Sequence, residues 1–365
     1  MKVLHYIYGL NIGGAESFLL NFLSSVHTVD CTFDFCIQSN TIENKDLEKA
    51  IIRQHGHIHF IAPYNKRPLK NKNDFKRLVQ ECHYDVVHFH LNSLLNLFPI
   101  VICVKEGIKV IVHSHNSKSN GGLLGNALHR INKNRIRKLD IGRLSCGVEA
   151  GEWFFGDEKY CIINNGIISE KFKYNNHIRK IIRELYKIPS ECTVIGHVGR
   201  FSEQKNHKFI VDVFYEYHIN NKNSFLMLIG DGERKDDILE RVKKKGLDKS
   251  VIFCGNVVNA NECLASMDVM LFPSLYEGLP FTLIEAQAAG VPILASDVIS
   301  KNVSITNLIT FKSLNDSPES WSTALMNSII KSEEQERVQY SEAVKDTEYD
   351  SEQTAIKLMK YYREL

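Results

Sequence analysis

The segment from Asp268 to Pro292 carries the residues whose chemistry is most specific. It contains two carboxylates, Glu277 and Glu285, eight positions apart and separated by a glycine–proline turn. A carboxylate is a good hydrogen-bond acceptor for the vicinal hydroxyls of a sugar. The two side chains do not share a helix face, so the spacing does not favour a paired acid and base. It favours one carboxylate on each side of an anion held at the turn, with two solvated glutamates as the alternative.

The turn itself has the features of an anion site. The pattern predicts a buried strand over Val269 to Phe272 and a helix over Phe281 to Ala289, which Gly290 ends. Pro280 fits the first turn of that helix, where its missing N–H costs nothing. Unpaired amides and the helix dipole attract an anion to such an end. The predicted anion-binding groups are the backbone amides of Gly278, Leu279, Phe281 and Thr282.

Two cations follow another predicted strand, at Val194 to Val198. Arg200 and Lys205 lie five positions apart, after a glycine turn and before a predicted helix. Arginine binds a phosphate through its planar fork and lysine binds it as a point charge, so the pair suits a diphosphate. An ordinary solvated loop is the alternative interpretation of these residues.

Glycines follow two further predicted strands. Gly13 and Gly14 come after a first buried strand, Lys2 to Tyr8, and precede a helix expected from Ser17. Paired glycines let the backbone approach a ligand closely, although a dinucleotide fingerprint of the GxGxxG type is absent. Gly232 lies in the glycine turn that ends the strand beginning at Leu226.

Four histidines alternate at the ends of two predicted strands in the N-terminal half. They are His88 and His90 in one strand and His113 and His115 in the next. Ligands of a doubly wound sheet lie outside the carboxyl ends of its strands, so both pairs are placed for a ligand site. A structural role is the more common one for any single histidine.

The motif from Asp268 to Pro292, with Glu277 and Glu285 separated by seven residues, resembles the signature of GT4-type retaining glycosyltransferases of the GT-B fold. The resemblance is to the bacterial branch that builds capsular polysaccharides and exopolysaccharides. It implies that Glu277 contacts the transferred sugar and that Glu285 binds the ribose of the nucleotide. It also implies that the turn amides, with Arg200 and Lys205, bind the donor diphosphate.

The resemblance extends over nearly the whole chain. It implies that the Gly13–Gly14 loop closes over the diphosphate and that the segment around Gly232 lies near the nucleotide base. It assigns His115 to the donor sugar, with His113 as second choice, and leaves His88 or His90 for the acceptor. The reaction implied is transfer from a nucleoside-diphosphate sugar, with UDP-sugars favoured, to a glycan or polyprenyl-diphosphate-linked acceptor. No metal and no cofactor is expected, because the sequence has neither Asp-x-Asp nor a His/Cys cluster with ligand spacing.

Length and pattern indicate two domains of ordinary size. The chain has 365 residues, and predicted strands alternate with helical segments throughout. We expect the α/β GT-B fold, with two Rossmann-like doubly wound domains facing a deep cleft. The acceptor domain is predicted over residues 1–168 and the donor domain over residues 169–348. A helix over residues 349–365 is predicted to pack back on the first domain.

Composition and charge limit the partners and the cellular compartment that we expect for the protein. Nine cysteines without C-x-x-C spacing indicate a reducing cytoplasm, and Met1 leads directly into a strand rather than a signal peptide. A net charge of +2 implies no general attraction to nucleic acid. The chain has basic segments near residues 65–77 and 129–138. One interpretation is that they are solvated faces of helices. Peripheral contact with an anionic membrane, in which Leu123 and Leu124 insert, is the other.

The sequence disfavours three other classes of protein. A sugar-nucleotide epimerase would use a similar donor site, but no clear set of acid and base carboxylates is present. A non-catalytic subunit that binds nucleotide or supports a partner is disfavoured by the intact Arg200, Lys205, Glu277 and Glu285. The missing glycine fingerprint disfavours a dehydrogenase.

Overall fold

The computed structural model of the chain describes residues 1–11, 13–28, 30–39, 41–116, 122–257, 259–329 and 334–365. It divides into two compact units. The first comprises Met1–Gly166 together with Ser351–Leu365, and the second comprises Ile167–Asp350. The first division falls two residues before the predicted boundary at 168, and the second falls two residues after 348.

The first unit, here the N-terminal domain, is a seven-stranded parallel sheet with the strand order β3-β2-β1-β4-β5-β6-β7. Apolar clusters cover both faces of this sheet, which is why its strands are nearly continuous apolar runs. Its elements are β1 (Lys2–Ile7), α1 (Gly14–Ser25), β2 (Thr32–Ile37), α2 (Lys45–Arg53), β3 (Ile58–Phe60), α3 (Pro68–Cys82), β4 (Val86–Leu91), α4 (Phe98–Lys105), β5 (Lys109–Ser114), α5 (Gly122–Ile136), β6 (Gly142–Ser145), α6 (Val148–Phe155), β7 (Cys161–Ile162) and the last helix, α14 (Ser351–Glu364).

The second unit, the C-terminal domain, is a six-stranded parallel sheet with the order β10-β9-β8-β11-β12-β13. Apolar clusters again cover both faces. Its elements are α7 (Asn176–Leu185), β8 (Thr193–Val198), α8 (His207–Asn220), β9 (Ser224–Ile229), α9 (Lys235–Lys244), β10 (Val251–Gly255), α10 (Ala260–Ser266), β11 (Val269–Phe272), α11 (Phe281–Ala288), β12 (Ile293–Ser296), β13 (Ile309–Lys312), α12 (Pro318–Ser328) and α13 (Glu334–Lys345), with single 3₁₀ turns at Ser169–Phe172, Glu203–Lys205 and Lys301–Val303.

Both sheets have the doubly wound strand order. Successive strands are added outward from the middle of the sheet in one direction, and the chain then returns to the middle and adds strands in the other direction. The reversal falls between β1 and β4 in the N-terminal domain and between β8 and β11 in the C-terminal domain. Ligands of open α/β sheets bind outside the carboxyl ends of the strands at such a point. Among the described residues, no helix combines the length and the apolar character needed to cross a membrane.

Candidate functional site

The C-terminal domain brings most of the predicted site residues to one edge of its sheet. Arg200 and Lys205 follow β8, and Glu277 follows β11. These two strands are hydrogen-bonded neighbours, so their carboxyl ends meet at the reversal point of the sheet.

The shortest contact at this edge joins Lys205 to Glu277. Lys205 Nζ lies 2.6 Å from Glu277 Oε1, and the two side chains are 15% and 8% exposed. Gln204, which sequence reasoning missed, donates its amide to Glu277 Oε2 at 3.1 Å and to the Tyr276 carbonyl at 2.9 Å. Lys205 Nζ also lies 4.7 Å from the centre of the Phe272 ring. Lys205, predicted to bind phosphate, and Glu277, predicted to bind the sugar, therefore form an ion pair whose position is fixed by these contacts.

Arg200 has a different environment. Its guanidinium binds Glu233, with NH2 to Oε2 at 3.1 Å, and the two side chains are 73% and 55% exposed. An exposed ion pair of this kind contributes little to stability. Arg200 is thus available for an anion that can displace Glu233.

The turn before α11 leaves backbone donors without partners. The helix begins at Phe281, as predicted, and Pro280 is its N-cap, one position before the first turn in which the sequence analysis placed it. No side chain caps this end, and no described residue accepts a hydrogen bond from the amides of Gly278, Leu279, Phe281 or Thr282. These amides directly follow Glu277, the partner of Lys205. Unpaired N–H groups at a helix start carry partial positive charge, so they form a group of donors suited to an anion.

Glu285 lies on α11 and is partly buried. Burial raises the pKa of its carboxyl to about 7, and no described residue donates a hydrogen bond to it. A carboxylate enclosed without donors is costly to the fold. It becomes favourable when hydroxyl donors, such as those of a ribose, are supplied from outside.

Gly232 has a structural reason to be glycine. A Cβ placed there would lie 2.6 Å from the carbonyl oxygen of Phe201, so any side chain would collide with backbone. The segment after β9 is thereby packed against the segment after β8, because Phe201 also donates its amide to the Asp231 carbonyl at 3.0 Å. The structure places Gly232 beside the chain that leads from Arg200 to Lys205.

Gly13 and Gly14 lie at the start of α1, which begins at Gly14 and not at Ser17. The Gly13 backbone is extended, at φ −162°, so it does not need the conformational freedom of glycine. Among the described residues, no atom lies within 4 Å of a Cβ added at Gly14. The lack of a side chain at Gly14 therefore leaves open space over the first turn of the helix.

The histidines of the N-terminal domain lie closer together and deeper than predicted. His88 and His113 are fully buried and His90 is 5% exposed, whereas His115 is partly exposed. His88 Nδ1 is 2.6 Å from the hydroxyl of Tyr362, on α14. This corrects the expectation that His88 could face an acceptor, because its ring is enclosed in the domain interior.

Two cations of the basic segment at residues 129–138 have partners within the domain. Lys133 Nζ binds the backbone carbonyls of Glu152 and Trp153, and Arg137 is paired with Glu158 at 2.9 Å. The side chains of Leu123 and Leu124, which were expected to insert into a membrane, lie outside the described part of the chain, as do residues 117–121.

Two doubly wound parallel-sheet domains define the class of the protein, which has the architecture of GT-B glycosyltransferases. The structure of HepE from Anabaena in complex with UDP has a TM-score of 0.79 at 15% identity, and the match covers 100% of both chains. The structure of the same protein in complex with UDP-glucose gives a TM-score of 0.75 at 15% identity, again over 100% of both chains.

The sequence comparisons find similarity to glycosyltransferases, which includes a family match in the C-terminal domain. Residues 192–328 match the family described as glycosyl transferases group 1. The putative glycosyltransferase EpsF of Bacillus subtilis is 28% identical over 374 residues, covering 99% of this chain and 96% of EpsF. A UDP-Gal:α-D-GlcNAc-diphosphoundecaprenol α-1,3-galactosyltransferase of Escherichia coli is 23% identical over 66% of this chain and 65% of its own length.

Proposed function

We propose that the protein transfers a hexose or related sugar from a nucleoside-diphosphate sugar to a hydroxyl group of a growing glycan, with retention of configuration. The observation that carries the proposal is the row of unpartnered amides before α11, which follows the Lys205–Glu277 pair and precedes Glu285 along the chain. A dianionic diphosphate with a sugar at one end and a ribose at the other matches this order of groups.

The diphosphate is assigned to the amides of residues 278–282 and to Lys205 and Arg200. When phosphate oxygens reach Lys205, its ammonium donates to them as well as to Glu277, since lysine has three donors. Arg200 exchanges its exposed partner Glu233 for the diphosphate. These protein cations and amides supply the neutralising charge, so we propose that transfer needs no metal ion.

The two carboxylates are assigned to the ends of the donor. Glu277 is held by Lys205 and Gln204, so its free acceptor sites are fixed in direction and can orient the hydroxyls of the transferred sugar. Glu285 accepts the ribose hydroxyls. UDP is the favoured nucleotide because HepE, which has the same fold, is described with UDP and with UDP-glucose.

The chemical step proposed is a front-face substitution at the anomeric carbon. The bond from that carbon to the phosphate oxygen breaks while the acceptor oxygen bonds to the same face. The acceptor proton passes to the leaving phosphate oxygen. Lys205, Arg200 and the turn amides stabilise the charge that develops on the leaving diphosphate. His115 is proposed to contact the transferred sugar.

The acceptor is proposed to be a glycan or a polyprenyl-diphosphate-linked sugar in polysaccharide biosynthesis. The name of the E. coli relative states such a lipid-linked acceptor for that protein. An acceptor of this kind would bring the protein to an anionic membrane surface. On α5, Leu128 and Ile131 are 38% and 52% exposed, and Arg135 on the same helix and Lys138 just after its end are exposed as well, an arrangement that suits such a surface.

The membrane contact is tested separately from transfer. Co-sedimentation with vesicles that contain anionic lipid should fall at least several-fold when Arg135 and Lys138 are both replaced by Gln. Binding that is insensitive to those changes would remove this part of the proposal without affecting the donor site.

The central experiment compares donor turnover in two matched variants. Glu277→Gln keeps the shape of the side chain but removes its charge, and we expect release of UDP from UDP-sugars in the presence of acceptor to fall by orders of magnitude. Asp212→Asn is the control, because Asp212 forms an ion pair with Arg241 at 2.5 Å and is similarly enclosed, at 18% exposed, but lies away from the site on α8. We expect the control to retain activity.

Four outcomes separate the alternatives. Turnover that is unaffected by EDTA and lost only in Glu277→Gln supports the proposal. Nucleotide binding without turnover on any acceptor supports a non-catalytic subunit instead. An epimerase would convert the donor sugar in the absence of acceptor, and equal activity in both variants would contradict the assigned site.

A further inference from the structure

Five histidines form a single cluster inside the N-terminal domain. They come from three adjacent strands: His5 from β1, His88 and His90 from β4, and His113 and His115 from β5 and its end. Their rings are in mutual contact, with centroids 4.2 Å apart for His88 and His90 and 4.1 Å apart for His113 and His115. The proposed transfer reaction uses at most His115 from this set.

The strand register explains why three of these rings converge. His113 and His115 alternate along β5, so their side chains project from the same face of the sheet. His90 is the direct partner of His113 on β4, and the His115 amide bonds to the carbonyl of Leu91 at 3.3 Å. One nitrogen from each of His90, His113 and His115 lies within 4.8 Å of the others.

The protonation state of this triad suits coordination. Burial lowers the pKa of His115 to about 3 and, together with repulsion from neighbouring rings, lowers the pKa of His90 and His113 well below the usual value. All three imidazoles are therefore neutral at physiological pH, which is the form that binds a metal ion. Both ring nitrogens of His113 and Nδ1 of His115 are buried without a hydrogen-bond partner among the described residues. Groups of that kind are costly unless something binds them.

We propose that His90, His113 and His115 bind a late first-row divalent ion, with Zn²⁺ as the natural occupant. Three imidazoles with a fourth, open position are a known donor set for zinc, and histidine nitrogen also binds Co²⁺ and Ni²⁺. The ligands carry no charge, and the fourth position is left for a water or hydroxide on the side of His115, the most exposed of the three.

The neighbouring histidine supplies the support that such a ligand needs. His90 Nδ1 faces His115 Nε2 at 2.9 Å, and its other nitrogen, Nε2, faces His5 Nδ1 at 2.9 Å. With the ion on Nδ1, His90 donates its Nε2–H to His5, which fixes the tautomer and the direction of the ring. The ion takes the place of the proton that His90 and His115 otherwise share.

Metal binding and transfer are separate uses of this part of the chain. The ion is not placed at the diphosphate, so the proposal does not make transfer depend on a metal. Because His115 is also assigned to the donor sugar, an ion on its Nε2 competes for that side chain. Zn²⁺ is thus expected to inhibit any transfer that uses His115.

The test uses the full chain without a polyhistidine tag. After dialysis against EDTA, the protein is titrated with Zn²⁺ and separately with Co²⁺, and no nucleotide is present. We expect one ion per chain with a dissociation constant below about 1 μM. The Co²⁺ form should give the intense visible absorption of a four-coordinate site. X-ray absorption at the zinc edge should show three imidazole nitrogens at about 2.0 Å.

Two variants locate the ion. His115→Ala, at the least buried position, should weaken binding at least tenfold while the circular dichroism spectrum is unchanged. His218→Ala removes a histidine of the C-terminal domain and should leave binding as in the parent protein. Absence of stoichiometric binding in the parent protein overturns the proposal, whatever the variants do. Binding that His115→Ala does not weaken, or an absorption spectrum without imidazole ligands, overturns it as well.

Discussion

Replacing Glu285 with Gln should stabilise the C-terminal domain at alkaline pH. Burial raises the pKa of Glu285 from 4.5 to about 7. The folded state therefore holds this proton more tightly than the unfolded state, so the contribution of Glu285 to stability is lost as pH rises from about 4.5 to 7. A shift of roughly 2.5 units at 1.36 kcal/mol each corresponds to about 3 kcal/mol above pH 7. Glutamine has the same shape and no charge, so Glu285→Gln avoids this cost.

The chain provides a spectroscopic reporter for that domain. It has two tryptophans, Trp153 on α6 and Trp321 on α12. Trp321 is fully buried in the C-terminal domain. In a Trp153→Phe background, urea unfolding followed by fluorescence reports on that domain alone. The gain in unfolding free energy from Glu285→Gln should be about 3 kcal/mol at pH 8 and about 1 kcal/mol at pH 5.

The difference between the two pH values is the decisive quantity. Other titrating groups are common to both proteins and cancel in the comparison. Glu240→Gln, a change on α9 at a side chain 67% exposed, should alter the unfolding free energy by less than about 0.5 kcal/mol at either pH. A gain from Glu285→Gln that is equal at both pH values, or a loss at pH 8, would refute the reasoning.

The same variant tests why a costly carboxylate is present. If Glu285 accepts ribose hydroxyls, UDP-glucose should bind less tightly as pH falls below 7, by up to tenfold per unit, because the protein must release a proton to bind. A sugar nucleotide is the right ligand because it lacks the terminal phosphate of free UDP, whose ionisation near pH 6 would interfere. In Glu285→Gln, binding measured by calorimetry should be weaker and independent of pH.

Three further changes follow from the packing. Gly14→Ala should leave the melting temperature unchanged or raised, because a Cβ meets no described atom within 4 Å, yet it should weaken UDP-glucose binding if phosphate approaches that backbone; unaltered binding by calorimetry would remove Gly14 from the donor site. Gly232→Ala should destabilise the protein by about 1–3 kcal/mol, because its Cβ would lie 2.6 Å from the Phe201 carbonyl oxygen, and an unchanged melting temperature would contradict this packing. Tyr362→Phe leaves His88 Nδ1 without its partner at 2.6 Å and should cost about 1–2 kcal/mol in urea unfolding, with UDP-glucose binding retained; a large loss of binding would mean that Tyr362 has more than a structural role.

Local patterns were enough to predict the elements around the C-terminal site. The buried strand before the turn was placed at Val269 to Phe272, where the structure has β11, and the following helix ends one residue earlier than predicted. Apolar runs and the Gly290 stop act over a few residues, so sequence alone contains them. The start of α1 was predicted three residues late. Low helix propensity made Gly14 look like loop, although the first position of a helix tolerates glycine.

The contact between Lys205 and Glu277 could not be read from the sequence. The two residues are 72 positions apart and meet only because β11 pairs with β8 across the reversal of the sheet. Sequence reasoning assigned both residues to the donor but gave no reason for them to touch. Gln204 was missed for the same reason. Its amide donates to the carboxylate of Glu277, a residue that follows a different strand.

The histidine cluster marks a different limit of sequence reasoning. The alternation of His88 with His90 and of His113 with His115 could be read from the sequence, but spacing along the chain gave no metal-ligand pattern. The pattern exists only across strands, because β1, β4 and β5 are adjacent and the register sets His90 opposite His113. His5 joins through the same strand order. A search for metal-ligand spacing within one segment therefore misses a site whose ligands come from several strands of a parallel sheet. For such a cluster, direct measurement of metal binding is the test, and motif matching is not.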